Sequence, residues 1–404
     1  MGRERDDRRA LRRQPASPVY TAEVVDDLAD LDRVAAFFQA HPAHPASRFD
    51  LVCAGLPNSR NTTPFFVQVS RDGEPCLLMV GQLVRGWLRW RLGHRTARVW
   101  RARTIEVRRG GFLGDLSQPG LAFLRDYVNR LLQRGIADAI YVRDVAAGSA
   151  LHELFGSCSH WLWRDRSATS STNWQLQVPS SFAEWQAARP RRERKDTARY
   201  DKCLRQAFDD AVRVERVDGL ADLDAAAEAV ERIARTTYQR AMGTGFRDSA
   251  QLRARWRAAA AAGTLDLRLL WLGDQPVAFS SGFASGGTVW LEHLGYDPAF
   301  RRFRPGMYLL LRLIEALAAR GDVHTLDFGI GDADYKRRLC DQRRETVSVY
   351  LFAPTLQGLW LNSLRALNTQ LNRLGRACLG RLELLPWVKT HWRRTLESDP
   401  HTAP

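Results

Sequence analysis

The order of apolar runs between residues 265 and 352 constrains the fold more than any other feature of the chain. Residues 265–271 are a run suited to a strand. Gly273-Asp274-Gln275-Pro276 turns it into a second run at 277–283, and Gly286-Gly287 turns that into a third at 288–296. The period then changes, and residues 306–319 repeat apolar side chains at helical spacing. A strand at 325–328, a short helix near 334–340 and a last strand at 346–352 follow. An antiparallel meander followed by a crossover helix is a specific topology.

The preceding half mixes strands and helices as well. Residues 22–40 read as a helix with Leu28, Leu31, Val34, Phe37 and Phe38 on one face, ended by His41-Pro42 and His44-Pro45. The runs at 65–69 and 76–80, joined by Arg71-Asp72-Gly73-Glu74-Pro75, read as a β-hairpin. A strand near 98–107, a helix near 119–133, a buried strand at 139–142 and a closing strand near 174–178 complete it. Residues 182–207 read as one very basic helix, with further helices near 220–242 and 249–261. Near the end, Trp360, Leu364, Leu367, Leu371, Leu374, Cys378, Leu382 and Leu385 step by three and four residues. That amphipathic segment, 355–396, suits packing on the body, on a partner protein or on a membrane surface. No sequence repeat is seen between the halves. The organisation expected is α+β: a disordered basic tail at 1–18, one unit at 19–179, a second at 180–352 and a helical extension at 353–404.

Charge bears on the partner. The net charge is +15, yet lysine occurs only at Lys195, Lys202, Lys336 and Lys389, so 56 of 60 basic residues are arginine. They are spread along the chain, as an arginine-rich codon bias produces. An anionic partner (a CoA, a lipid-linked phosphate, a nucleic acid or a membrane surface) is compatible with this but is not assigned by it. Without a helix-turn-helix or zinc pattern, DNA is not an expected partner. The six cysteines lie far apart with no CxxC pair, so no metal is expected and a reduced, cytoplasmic protein fits. The first residues lack an apolar h-region, and no uncharged apolar run reaches the roughly 18 residues a membrane span needs. Peripheral contact at the inner membrane, through 355–396, stays open.

The most informative stretch is Gly295-Tyr296-Asp297-Pro298-Ala299-Phe300-Arg301-Arg302-Phe303-Arg304-Pro305-Gly306-Met307-Tyr308. A strand ends, a basic loop follows, and a helix opens on Pro305, where a missing N–H costs nothing. Free N–H groups of Gly306, Met307 and Tyr308, with Arg301, Arg302 and Arg304 beside them, would make an anion site suited to a pyrophosphate. A plain solvated turn is the alternative.

With Gly273-Asp274-Gln275-Pro276-Val277-Ala278-Phe279, Asp327-Phe328-Gly329-Ile330-Gly331-Asp332 and Tyr335-Lys336-Arg337-Arg338 in matching order, this stretch resembles the acetyltransferase domain of the GNAT superfamily. More narrowly it is similar to a bacterial group associated with cellulose and exopolysaccharide biosynthesis and related to Fem-type aminoacyl transferases. The resemblance covers about a quarter of the chain firmly. It implies two GNAT-like mixed-sheet units in tandem, acetyl-CoA or another acyl-CoA as donor, and a polar or anionic acceptor such as a sugar or polysaccharide precursor. In the family's pyrophosphate loop, Arg/Gln-x-x-Gly-x-Gly/Ala, Arg301 takes the first position and Gly306 the last. Arg304 replaces the middle glycine, and Pro305 removes a donor. The implied alternatives are aminoacyl transfer from a charged tRNA and a non-catalytic GNAT-like binding module in polysaccharide synthesis.

Acyl transfer needs a base, an oxyanion donor and an acid for the leaving group. Glu292 and His293 lie on the strand before the loop; alternation allows only one to face a cleft, and Glu292 is the first choice as base. Asp327 ends the next strand and suits a functional role; Asp332 suits a helix cap. Tyr335 would serve as acid and Lys336 would hold a phosphate or the oxyanion, or each is an ordinary helix surface residue. Arg194, Lys195 and Arg199 on the basic helix would hold an anionic acceptor or are a solvated face. Tyr238 and Trp256 would line the acceptor cleft or fill the core.

Overall fold

Tight turns set the strand pairs. Asp72 and Gly73 both hold positive φ (53° and 90°) and close β2 (Thr62–Arg71) onto β3 (Glu74–Leu92), the geometry a two-residue hairpin turn requires. Gly273 at φ 61° does the same between β8 (Leu265–Leu272) and β9 (Gln275–Ser285). The computed structural model describes residues 18–381 apart from 42, 59–60, 93–94, 158–161, 218, 238–239 and 241–244. Residues 1–17 of the tail predicted at 1–18, Tyr238 and the end of the C-terminal helical segment, 382–404, lie outside the described residues.

The first half runs β1 (Tyr20–Val25), α1 (Asp32–Ala40), α2 (Phe49–Gly55), β2, β3, β4 (Arg95–Gly114), α3 (Gln118–Gln133), β5 (Ala139–Ala146), α4 (Ala150–Ser157) and β6 (Thr169–Gln177). The second runs α5 (Phe182–Ala188), α6 (Arg191–Phe208), β7 (Val212–Val217), α7 (Leu223–Thr236), α8 (Ala250–Ala261), β8, β9, β10 (Thr288–Tyr296), α9 (Pro305–Arg320), β11 (Thr325–Ile330), α10 (Asp334–Leu339) and β12 (Gln342–Phe352). Helix α11 (Leu356–Arg381) follows. The two GNAT-like units are therefore in tandem, and their strands join in one twelve-stranded sheet, ordered β1-β2-β3-β4-β5-β12-β6-β11-β10-β9-β8-β7. Each unit's last strand has crossed over: β12 lies between β5 and β6, and β6 between β12 and β11. In each unit one crossover helix returns the chain parallel to its neighbour, α3 between β4 and β5 and α9 between β10 and β11.

Helix α9 shows why the core sits where it does. Leu310, Leu313, Ile314 and Leu317 recur at helical spacing and are buried against Val289, Leu326 and Phe328 of the sheet. Full burial of each contributes about 1.5–3 kcal/mol. Trp256 of α8 is buried against Phe246 and is core, not cleft.

Three expectations change. Residues 22–40 are not one helix: Tyr20, Ala22 and Val24 alternate inward against β2 while Thr21 and Glu23 face water, a period of two that ends before α1. The basic helix 182–207 is two helices, α5 and α6, because Pro190 has no N–H to continue the ladder. The halves also carry a repeat. Leu28-Ala29-Asp30-Leu31-Asp32 and Leu220-Ala221-Asp222-Leu223-Asp224 follow β1 and β7. Pro119-Gly120 and Pro305-Gly306 open α3 and α9, and Arg134-Gly135 and Arg320-Gly321 close them.

Candidate active site

Strands β10 and β11 pair only from Thr288–Trp290 to Thr325–Asp327 and then part. Strands β4 and β5 pair from Thr104–Val107 to Ala139–Val142 and part in the same way. The two splits face one cleft of about 540 Å³, lined by residues of both units. A β-bulge between Leu291 and His293 shifts the β10–β9 register, leaving Glu292 as the extra residue. The bulge breaks the alternation expected for the strand, and Glu292 and His293 both line the cleft.

Five of the predicted residues meet here: Glu292, His293, Asp327, Tyr335 and Lys336. Asp327 is 2% exposed. Its carboxylate accepts from Asn173 Nδ2 at 2.8 Å, Gln175 Nε2 at 2.7 Å and the Gly329 N–H at 2.6 Å. It anchors β11 to β6 and shapes the Gly329-Ile330-Gly331 turn. Lys336 of α10 reaches back under that turn, and its Nζ donates to the carbonyls of Gly329 (3.1 Å) and Ile330 (2.9 Å). An ammonium has three N–H groups, so one remains beyond these two bonds. Burial lowers the Lys336 pKa, and the nearby Asp327 charge partly restores it. Asp332, expected as a cap, pairs with Arg337 instead; Ala333 is the N-cap of α10.

Glu292 pairs with Arg255 of α8 at 2.9 Å. The His293 ring lies edge-on to Phe246, and its Nδ1 is 3.4 Å from Ser281 Oγ. Burial holds its pKa below the ordinary value against the opposing charge of Glu292, with Arg255 adding to the lowering, so the imidazole is mostly neutral near pH 7. Tyr335 packs beside Phe328 at the cleft.

The first unit supplies a wall that sequence reasoning missed. Arg108 of β4 is partly buried, donates to Ala46 O and Gln82 Oε1, and stays charged although burial lowers its pKa to about 10. His44 Nδ1 accepts the Ala46 N–H at 3.0 Å, so Nε2 carries the proton of the neutral ring. Burial lowers the His44 pKa to about 3. Its ring stacks edge-on to Trp290 with centroids 4.2 Å apart. Three donors where this wall meets β10, His44 Nε2, Arg108 Nε and Trp290 Nε1, are buried without a partner. Each such group costs about 1–3 kcal/mol, a cost that function can explain. Arg109 pairs with Asp144 and Arg143 with Glu106, so those arginines are already matched. The signal available in the sequence was the pair Arg108-Arg109, hidden among many other arginines.

The remaining predicted residues lie elsewhere. Arg194, Lys195 and Arg199 of α6 do not line the cleft; Arg194 edges a small groove of about 40 Å³ with Trp185, Tyr200 and Met307. Residues Pro298–Phe303 form a 3-10 helix, and Arg304 holds φ 55°, in the left-handed region. The N–H groups of Met307 (3.0 Å) and Tyr308 (3.1 Å) both bond to the Arg304 carbonyl. Tyr308 is buried in the core with Phe303 and Leu204. Of the three donors expected at this helix start, the Gly306 N–H alone is not in a described bond, and a Cβ on Gly306 would lie 3.2 Å from the Tyr296 ring. The side chains of Arg301 and Arg304 are exposed. An acyl-CoA pyrophosphate here would be gripped by those side chains and the Gly306 N–H, not by a cradle of amides. Among the described residues no cluster of His, Cys, Asp and Glu suits a metal ion.

The fold, taken with the family match, supports an acyltransferase. Residues 191–337, just over a third of the chain, match the family model described as the acetyltransferase (GNAT) domain. Among solved structures, that of FemX is similar over 80% of this chain and 96% of its own, at 14% identity and a TM-score of 0.53. The C-terminal domain of a putative lysylphosphatidylglycerol synthetase from Agrobacterium fabrum is similar over 84% and 96%, at 10% identity and a TM-score of 0.51. At these identities the likeness is one of fold. No curated protein matches the chain by sequence.

Proposed function

We propose that the chain transfers an acyl group from an acyl-CoA onto an amine or hydroxyl of an anion-bearing polar acceptor, such as a sugar phosphate, seated in the cleft. The observation that carries this is the convergence, at the strand split of the acetyltransferase domain, of a buried ammonium with an uncommitted N–H, a neutral imidazole and a carboxylate. The acceptor nitrogen or oxygen attacks the thioester carbonyl and its proton passes to Glu292 or His293. Lys336 stabilises the oxyanion, the C–S bond breaks, and the thiolate takes a proton from Tyr335. Arg108 and the unpartnered donors of His44 and Trp290 hold the acceptor's oxygens. The test is calorimetric titration with acetyl-CoA and with CoA, on the protein and on Arg301→Glu/Arg304→Glu. Binding that the double variant loses supports the reading; absence of binding by the folded protein sinks it.

One observation favours a second reading, transfer from an aminoacyl ester of tRNA. The helix start has spent two of its three expected donors and lies against the Tyr296 ring, while α6 displays cations without a role in the cleft. Binding of charged tRNA that weakens linearly with the logarithm of salt concentration, with no CoA binding, would select it.

A further inference from the structure

The outer end of the β3–β4 hairpin and the exposed face of α11 form one surface that acyl transfer does not use. Trp87 and Trp100, on neighbouring strands, are 44% and 43% exposed. The Arg101 guanidinium lies 5.1 Å from the centre of the Trp87 ring. Trp100 stands edge-on to Trp360 of α11 with centroids 6.3 Å apart, which joins hairpin to helix. From Trp360 the exposed residues Leu367, Leu371 and Leu374 continue the row at helical spacing, while Leu361 and Leu364 turn into the body. Contiguous exposed apolar surface of this kind marks a contact site.

Charge identifies what makes the contact. From Pro75 to Ile105 the chain has no Asp or Glu, while seven arginines lie between Arg85 and Arg103. Along α11, Leu356–Arg381, there are four arginines and no Asp or Glu, and of these Arg365 is paired with Asp165 of the body. A second copy of this chain would set arginine against arginine, which costs binding. We propose that this surface docks on an anionic phospholipid bilayer. Tryptophan rings favour the lipid–water boundary, the leucine row enters the acyl edge, and the arginines reach headgroup phosphates. Trp100 and Arg108 are eight residues apart on β4, so the bilayer plane stands about 26 Å from the cleft along the strand. Docking is thus separable from the chemistry.

The test is flotation of the full chain with phosphatidylcholine vesicles, with and without phosphatidylserine, at low and high salt. Binding to the anionic vesicles alone, weakened by salt, is expected. Arg98→Glu/Arg101→Glu should weaken partitioning more than about tenfold, and Leu367→Glu/Leu371→Glu should abolish it. Both should keep the parent's far-ultraviolet circular dichroism and cleft ligand binding. Equal binding by parent and folded variants overturns the proposal, as does no binding to charged vesicles at low salt. A concentration-dependent dimer that the leucine variant breaks, without vesicle binding, also overturns it and assigns the row to a second copy.

Discussion

Lys336 and His44 show how burial sets the chemistry of single residues. Lys336 is held between two carbonyls with no carboxylate bonded to it, so its charge is available to a reacting oxygen. Lys336→Met is expected to lower kcat by about 100-fold or more, with a smaller effect on KM, in a steady-state assay. Lys336→Arg should not rescue it, because a planar fork cannot replace a compact ammonium under the Gly329 turn. His44 is neutral in the fold, with a pKa of about 3 against about 6.5 when unfolded. The unfolded chain therefore binds the extra proton, and stability is complete above pH 6.5 or so and falls as pH drops toward 3. The loss is about 1.4 kcal/mol per pH unit in that window. His44→Asn keeps an acceptor for the Ala46 N–H and should flatten the profile, measured by urea unfolding at about pH 7 and about pH 5. Lys336 was legible in the sequence through the Tyr335-Lys336-Arg337-Arg338 motif of the family resemblance. His44 was not, because its role depends on Trp290, far along the chain.

At the scale of elements, local pattern was a good guide where one period ran unbroken. The spacing of α9, its Pro305 start and the turns at Gly273 and Gly286-Gly287 all stand in the structure. The pattern failed where two periods adjoined, as at β1 and α1, and where a bulge broke alternation at Glu292. A bulge is set by the partner strand's register, which no single strand's sequence contains. Strand β8 offers a test of buried charge. Asp266 and Arg268 pair at 2.8 Å with side chains 2% and 6% exposed. Asp266→Ala should cost about 3–5 kcal/mol, because it leaves the guanidinium buried and unpaired. Asp266→Leu/Arg268→Met should cost much less, by denaturant titration. Equal losses in both would show that volume, not charge, dominates.

For the whole molecule, the exchanged strands decide how the halves depend on each other. The first unit alone would leave β5 without β12, and the second would leave β11 without β6, each a bare edge beside a core. Residues 1–179 and 180–404 expressed separately should be insoluble or aggregated, and co-expression should restore a soluble complex that binds cleft ligands. Two soluble, monomeric halves would contradict this. None of the described helices is long and apolar enough to cross a membrane.

The chain's own order of residues determined most elements of the second half, its GNAT-type topology and five of the side chains that meet in the cleft. The elements rest on periods of two and 3.6 and on turn chemistry, which act within about a dozen residues, whereas the GNAT-type topology and the five side chains rest on the resemblance of their motifs. The tertiary structure alone decided that the halves share a sheet, that His44 and Arg108 face Trp290, and that the Met307 and Tyr308 amides are spent within the turn. Pairings across some two hundred residues depend on how two sheets close on one another, and a strand's sequence carries its spacing but not its neighbour.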